Sequence, residues 1–178
     1  MDQIYTHPKR KTKVVFVQLG SPSEPTTKAL RKYLRKFLGD PRVIDINPWL
    51  WKIILNFFVL PFRPKKSAKL YARIWDGKSF PLITNTRDFT NNVREELKKI
   101  DPNGYVEVNH AFLLSPPYVN EVYDSWEDDL KKGIGATKLL VIPMFPQYSE
   151  STIASGIDAL AKELSKRVKI PTFEVITN

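Results

Sequence analysis

Residues 145–152, Phe-Pro-Gln-Tyr-Ser-Glu-Ser-Thr, combine two aromatic rings with several hydroxyl groups at a position where α/β proteins place their chemistry. They follow the apolar run 138–144, which is typical of a parallel strand buried on both faces. They precede residues 153–164, whose pattern predicts a helix, so Ser151 and Thr152 are predicted to be N-cap residues. Open α/β sheets bind their ligands outside the carboxyl ends of the strands. The segment is therefore the first candidate for a binding site.

The elements that must position this segment alternate along the chain and are joined by short turns rich in Gly, Pro and Ser. Strands are predicted over residues 13–19, 42–46, 105–112, 138–144 and 172–176, and helices over 28–38, 48–60, 67–75, 86–99, 118–132 and 153–164. Such alternation predicts an α/β fold with a doubly wound parallel sheet flanked by helices. We expect about four strands in that sheet.

The size and composition fit one soluble domain. The chain has 178 residues, of which 42% are hydrophobic and 26% charged. It has no cysteine, which excludes disulfides, zinc–thiolate sites and iron–sulfur clusters ligated by this chain. Residues 1–12 are predicted to be a loose N-terminal segment, and residues 1–13 lack the apolar core of a secretory signal. These features favour a cytoplasmic protein.

The chain is strongly basic, with a formal net charge of +9. The positive residues are mostly dispersed, and neither a recognition helix nor an aromatic RNA-binding motif accompanies them. We therefore expect no nucleic-acid partner, and a nucleic-acid module is the last of the alternatives. A basic surface that attracts anionic ligands or an anionic membrane explains the charge better.

Several segments in order along nearly the whole chain resemble ferrochelatases. Residues 145–152 are similar to the family's Tyr-Pro-Gln-Tyr-Ser-x-Ser-Thr motif, and residues 17–22 resemble its opening strand and Leu-Gly-x-Pro turn. Residues 31–44 are similar to its first helix and second strand. Residues 61–71, followed by Ile-Trp at 74–75, resemble the family most closely. Together these segments resemble the N-terminal half of a ferrochelatase.

The resemblance implies a chelatase-type, Rossmann-like fold in which two domains hold a porphyrin between them. Residues 13–178 would be the first domain, and the C-terminal domain would be a missing partner. The implied activity is that of a lyase that inserts ferrous iron into a porphyrin in haem biosynthesis. Iron and porphyrin are then substrates, and no separate cofactor is expected.

The resemblance also assigns a porphyrin-binding set. Arg63 would pair with a propionate, since a guanidinium binds a carboxylate through two parallel hydrogen bonds. Capping of a helix or binding of a lipid phosphate are alternative roles for Arg63. Leu19 and Tyr71 have core packing as their alternative, and Ser151 and Thr152 have helix capping. The complete set is Leu19, Arg63, Tyr71, Ser79, Phe145, Tyr148, Ser151 and Thr152.

The chain departs from the family pattern at three places. Residues 113–114 are Leu-Leu where the family usually has Arg-Tyr. A planar, charged guanidinium is thereby replaced by an apolar side chain that can only pack. Phe145 stands where the family usually has Tyr and therefore lacks the hydroxyl. Phe80 is an extra residue in the family's Gly-Ser-Pro-Leu turn.

No residue of this chain is predicted to be catalytic or to bind metal. Metal insertion needs a base that takes the two pyrrole protons, and imidazole suits that role because its pKa lies near neutrality. The family's metal-inserting His and its partner Glu belong to the second half. His7 falls in the predicted loose segment, and His110 alternates with the apolar residues of its strand, so we expect it to pack on the sheet.

Residues 49–60 are apolar on nearly every side of their predicted helix. They are too few to span a bilayer, so contact with a membrane would be peripheral. The lip of a porphyrin cavity and burial against the sheet are the other interpretations. For the whole protein, a chelatase for another metal and a non-catalytic tetrapyrrole- or membrane-binding protein remain alternatives.

Overall fold

The computed structural model describes residues 11–133 and 135–177. The predicted loose segment 1–12 lies mostly outside these residues, as does His7. The elements in chain order are β1 (Thr12–Gln18), α1 (Thr27–Leu38), α2 (Pro48–Ile54) with a π-helical turn (Leu55–Val59), α3 (Arg63–Tyr71) with a 3-10 turn (Ala72–Ile74), α4 (Pro81–Ile100), β2 (Val106–Phe112), α5 (Val119–Lys131), β3 (Lys138–Pro143), a π-helical turn (Glu150–Ala154) that leads into α6 (Ser155–Leu164), and β4 (Thr172–Val175).

The four strands form one sheet in the order β2-β1-β3-β4, and every neighbouring pair is parallel. The registers place Lys13 opposite both Glu107 and Leu139. Helices cover both faces, so the predicted α/β fold with a Rossmann-like, doubly wound parallel sheet is confirmed. Because all strands run the same way, the loops that follow β1, β2 and β3 lie at one edge of the sheet.

Alternate residues of β1 serve two different cores, as the two-residue repeat of a strand requires. Val15 and Val17 face α5 and α6, where they join a cluster that contains Tyr123 and Trp126. Val14 and Phe16 face the opposite side, in a cluster that includes residues of α4. Burial on both faces explains why β1 and β3 read as continuous apolar runs.

Helix α1 packs mainly on α3. Its N-cap is Thr26, whose Oγ1 accepts a hydrogen bond from the backbone N–H of Ala29 at 3.2 Å. Its buried face carries Leu34 and Leu38, which pack against Leu55 and Leu60. This third cluster lies beside the carboxyl edge of the sheet and supports the candidate site.

Three predictions about the extent of elements are wrong. Helix α4 begins at Pro81 and not at residue 86, since proline is tolerated in a first helical turn. Residues 42–46 do not form a strand: 42–43 belong to a turn and 44–46 are irregular. The Asp40 side chain accepts a hydrogen bond from the N–H of Arg42, and the Asp40 carbonyl accepts from Val43 and Ile44. Helix α3 begins at Arg63 and not at residue 67, since Pro64 is tolerated in a first helical turn.

Candidate functional site

A polar cleft opens at the carboxyl edge, between the loops that follow β1 and β2. Its volume is about 300 Å³, and we call it the serine cleft. One wall comes from α1 and the loop after β1, another from residues 75–83, and the floor from the loop after β2. The residues that line it include Ser21, Ser23, Lys32, Tyr33, Trp75, Ser79, Phe80, Leu114, Ser115 and Tyr118.

The floor of the serine cleft requires a glycine. Gly20 has a φ of +92°, and a Cβ at this position would collide with the Oγ of Ser115. The two loops are also hydrogen bonded: the N–H of Ser21 donates to Ser115 Oγ at 3.3 Å, and the N–H of Leu114 donates to the Leu19 carbonyl at 3.0 Å. Leu19, a predicted site residue, is thus half-buried directly beside the cleft.

Tyr33 links α1 to this floor. It is buried, and its hydroxyl donates to the Gly20 carbonyl at 3.3 Å. Its ring centroid lies 6.3 Å from that of Tyr71, another predicted site residue, which is half-buried. Burial raises the pKa of Tyr33 far above its ordinary value, and the neighbouring Tyr71 raises it further. Tyr33 is not among the predicted site residues, because nothing in the sequence pattern indicates this hydrogen bond.

The turn before α4 presents Ser79 to the cleft. Asp76 Oδ1 accepts hydrogen bonds from the N–H groups of Lys78 and Ser79 at 2.7 and 2.6 Å. These hydrogen bonds lower the pKa of Asp76, and the one from Ser79 has the largest effect. Phe80 is 1% exposed, and its ring packs edge-on against Trp75 with centroids 4.7 Å apart. The extra residue of the turn is therefore an apolar plug behind the cleft.

Arg63 does not line the serine cleft. It is the first residue of α3 and is exposed, beside Phe62, whose exposed fraction is 73%. Within residues 11–133 and 135–177 its guanidinium makes no hydrogen bond or ion pair. Of the predicted site residues, Ser79 lines the cleft, Leu19 and Tyr71 contact residues that line it, and Arg63 lies outside it.

The segment after β3 contains the other four predicted residues. Phe145 is half-buried, whereas Tyr148 is 57% exposed. Ser151 and Thr152 are half-buried, and Ser151 Oγ lies 2.9 Å from the Oγ of Ser149. This side of the edge exposes more of its predicted side chains than the cleft does.

The prediction that Ser151 and Thr152 are N-cap residues is wrong. The helical segment begins at Glu150, and the carbonyl of Ser149 accepts from the N–H groups of Thr152, Ile153 and Ala154. Both predicted caps therefore lie inside a π-helical turn. A run of four hydroxyl and acidic residues offers several possible caps, so the sequence alone did not fix the helix start.

An ion pair ties this second side to the rest of the edge. Arg42, in the turn after α1, donates two hydrogen bonds to the carboxylate of Asp158 on α6. The hydrogen bond from Arg42 lowers the pKa of Asp158. The two residues are 116 positions apart, and nothing in the sequence pattern pointed to the pair.

The sequence model of the ferrochelatase family matches residues 11–178. The chain belongs to the ferrochelatase family. A ferrochelatase of Idiomarina loihiensis is 41% identical over 165 residues, which cover 93% of this chain and 44% of that protein. The coproporphyrin III ferrochelatase of Streptococcus mutans is 38% identical over 168 residues, covering 94% of this chain and 50% of that protein.

A ferrochelatase of Actinobacillus pleuropneumoniae is 40% identical over 163 residues, covering 92% of this chain and 49% of that protein. The chain thus spans about half the length of the curated relatives it matches, and it corresponds to their N-terminal half. The resemblance on which the sequence analysis rested is confirmed.

The two leucines that replace the family's usual Arg-Tyr pair have apolar surroundings. Leu114 lines the serine cleft and packs against the cluster that contains Tyr33. Leu113 packs against the cluster between the sheet and α5 and α6. Neither position supplies a charge to the ferrochelatase-type edge.

His110 lies on β2, outside the serine cleft. It lines a separate crevice with Lys13, Arg94 and Asn109, and its ring packs against Phe112 with centroids 5.5 Å apart. Its Nδ1 is buried without a hydrogen-bond partner in the described part of the chain. Burial lowers the pKa of His110, and the positive charges of Arg94 and Arg87 lower it further.

Residues 49–60 have one side that packs on the protein and one side that is exposed. Leu55 and Leu60 are buried, and the Trp51 indole N–H donates to the carbonyl of Leu38 at 2.6 Å. On the other side an aromatic surface is exposed. It consists of Trp49, Leu50, Phe57, Phe58 and Phe62. Among the helices described, none is long and apolar enough to cross a bilayer.

Proposed function

We propose that this chain provides one wall of a tetrapyrrole site, as the N-terminal domain of a ferrochelatase. The observation that carries the proposal is the serine cleft, because it lies at the carboxyl edge where open α/β sheets bind ligands. The complete protein would insert ferrous iron into a porphyrin, releasing two protons, in haem biosynthesis. Iron and porphyrin are substrates of that reaction.

The predicted residues fit different parts of a porphyrin. Leu19 and Phe145 offer apolar surface to the macrocycle, and Tyr71 offers a ring with a hydroxyl at its rim. Arg63 has an unpaired guanidinium among the described residues, which suits a propionate. Tyr148, Ser151 and Thr152 would face the ligand from the segment after β3.

Metal insertion by this chain alone is not part of the proposal. The reaction needs a base beside the pyrrole nitrogens. His110 is the imidazole among the described residues, and it lies in a crevice apart from the cleft. We propose that the base belongs to the half of the relatives' length that this chain does not cover, so this chain binds the macrocycle without metallating it.

A porphyrin titration followed by the Soret absorbance tests the proposal. The wild-type chain is expected to bind at a single saturable site, and Arg63→Met to bind about tenfold more weakly through loss of a charge-assisted pair. Arg73→Met is the matched control, because Arg73 is also exposed and lies just beyond α3. Absence of saturable binding to the wild-type chain would refute the proposal.

Peripheral membrane contact is a second candidate, favoured by the aromatic surface and its basic neighbours. Phe57 and Phe58 are 70% and 67% exposed, with Lys52 and Arg63 nearby in the chain. Apolar side chains with basic flanks suit the interface of an anionic membrane. This contact would accompany tetrapyrrole binding and does not replace it.

Vesicle co-sedimentation tests the membrane contact. We expect binding to phosphatidylglycerol-containing vesicles, weaker binding to pure phosphatidylcholine, and loss of most binding when Phe57 and Phe58 are both changed to Asn. Val168→Asn is the control, because Val168 is 100% exposed on another part of the surface. Equal binding by the double variant and the wild-type chain would rule this contact out.

The alternatives for the whole protein separate in a metallation assay with the C-terminal half supplied. A chelatase for another metal would prefer cobalt(II) over iron(II). A non-catalytic tetrapyrrole-binding protein would bind porphyrin and metallate nothing. We favour the iron enzyme because the matched relatives are named ferrochelatases.

A further inference from the structure

The serine cleft contains one cation and no acid among the described residues that line it. The cation is Lys32, an exposed residue of α1 directly before Tyr33. Within the described ranges, its ammonium group makes no ion pair or hydrogen bond. The next lysine on the same helix face, Lys36, lies over the ring of Tyr118 with its Nζ 4.0 Å from the centroid. Lys32 is therefore the charge left for a ligand of the cleft.

Hydroxyl groups accompany this charge. Ser115 is buried, and its Oγ accepts from the N–H of Ser21, which leaves its own proton free to donate. Ser23 and Ser79 line the same cleft. An ammonium with several hydroxyl donors and no competing carboxylate matches the needs of an anionic oxygen ligand.

Apolar side chains line the rest of the cleft. Trp75 and Phe80 belong to the wall formed by residues 75–83, and Leu114 belongs to the floor, where relatives of the ferrochelatase type usually have tyrosine. A ligand that fits must therefore carry its charge at the end of an apolar body. A propionate side chain on a tetrapyrrole has this form.

We propose that the serine cleft binds a carboxylate through Lys32 and Ser115. The inference rests on the proposed function, and the carboxylate is a propionate of the tetrapyrrole. Arg63 lies outside the cleft, so Lys32 holds a carboxylate separate from that assigned to Arg63. Lys32 thereby supplies positive charge to an edge where Leu113 and Leu114 supply none.

The test compares a porphyrin dicarboxylic acid with its dimethyl ester, which has the same ring and no charge. Lys32→Gln is expected to weaken binding of the acid about fivefold, the range of an exposed ion pair, and to leave binding of the ester unchanged. Ser115→Ala is expected to give a smaller loss for the acid alone. Lys28→Gln is the matched control, since Lys28 is an exposed lysine of α1 that does not line the cleft.

Salt and free carboxylate sharpen the result. Added salt is expected to weaken binding of the acid more than binding of the ester. This difference in salt dependence should be smaller in Lys32→Gln. Propionic acid alone is expected to compete only at far higher concentration, which identifies the tetrapyrrole as the source of the carboxylate.

Two outcomes overturn the inference. If the acid and the ester bind the wild-type chain equally well and Lys32→Gln changes the affinity for neither, the cleft does not bind a carboxylate, although the proposed function stands. If neither compound binds the wild-type chain, the proposed function fails and the inference fails with it.

Discussion

The two sides of the carboxyl edge are built differently. On the β1–β2 side, Tyr33 is buried and hydrogen bonded to Gly20, and Ser115 joins the two loops. On the β3 side, Tyr148 is 57% exposed, and an ion pair between Arg42 and Asp158 links the segment to the turn after α1. Buried side chains that are hydrogen bonded to each other's loops hold the first side, whereas the second side combines buried residues such as Ile153 with exposed ones and a surface ion pair.

The difference indicates which part of the edge is complete within this chain. Contacts between residues of this chain shape the serine cleft. The exposed residues after β3 have surface left for a ligand or for further polypeptide to cover. This division agrees with a chain that spans about half the length of its matched relatives.

The largest effect is expected on the packed side. Phe80→Ala removes a ring that is 1% exposed and in contact with Trp75 and Tyr71, so it should lower the free energy of unfolding by about 3–5 kcal/mol. Urea unfolding followed by circular dichroism measures the change. Phe62→Ala is the control, because Phe62 is 73% exposed and should change stability by less than about 0.5 kcal/mol. Equal losses for the two variants would show that Phe80 is not a structural plug.

An intermediate effect is expected at Tyr33. Tyr33→Phe loses one hydrogen bond, which amounts to about 1 kcal/mol at neutral pH. The pKa of Tyr33 is raised in the folded state, so its stabilisation is complete below the unfolded pKa of about 10 and is lost as the pH rises above it. The urea midpoint should therefore decrease less between pH 9 and pH 11 in Tyr33→Phe than it does in the wild-type chain. Tyr148→Phe, an exposed control, should keep the wild-type slope.

The smallest effect on stability is expected at Asp158. Its folded pKa is lowered, so its stabilisation is present above the unfolded pKa of about 4 and is lost as the pH falls through the lower folded value. Asp158→Asn should make the acid loss of stability shallower and should speed amide exchange in residues 145–152 at neutral pH. Asp128→Asn is the control for the amide exchange, because Asp128 pairs with Lys131 on α5, away from this segment. Unchanged exchange in Asp158→Asn would show that the ion pair does not hold the segment.

The sequence predicted the strands better than it predicted the site. The runs that became β1 and β3 are apolar on both faces and are bounded by turn residues, so their periodicity and length sufficed. The strand prediction for residues 42–46 rested on three branched apolar side chains, which are typical of strands. The hydrogen bonds to Asp40 that form a turn there are visible only in the structure.

The site residues that were missed share one property. Tyr33, Lys32 and Ser115 come from a helix and a loop that lie far apart in the sequence, and the fold brings them together at one cleft. Helix periodicity explains the burial of Tyr33 but not its hydrogen bond to Gly20. Long-range placement of this kind depends on tertiary packing, for which a single sequence offers no direct signal.

The central claim is that this chain binds porphyrin but does not insert the metal. Anaerobic incubation of the chain with porphyrin and iron(II), followed by absorbance, tests it most directly. We expect the Soret band to shift and saturate as porphyrin binds, with no metalloporphyrin formed above the rate without protein. Metalloporphyrin that forms in proportion to the concentration of this polypeptide would contradict the account, since it would place the proton acceptor within these residues.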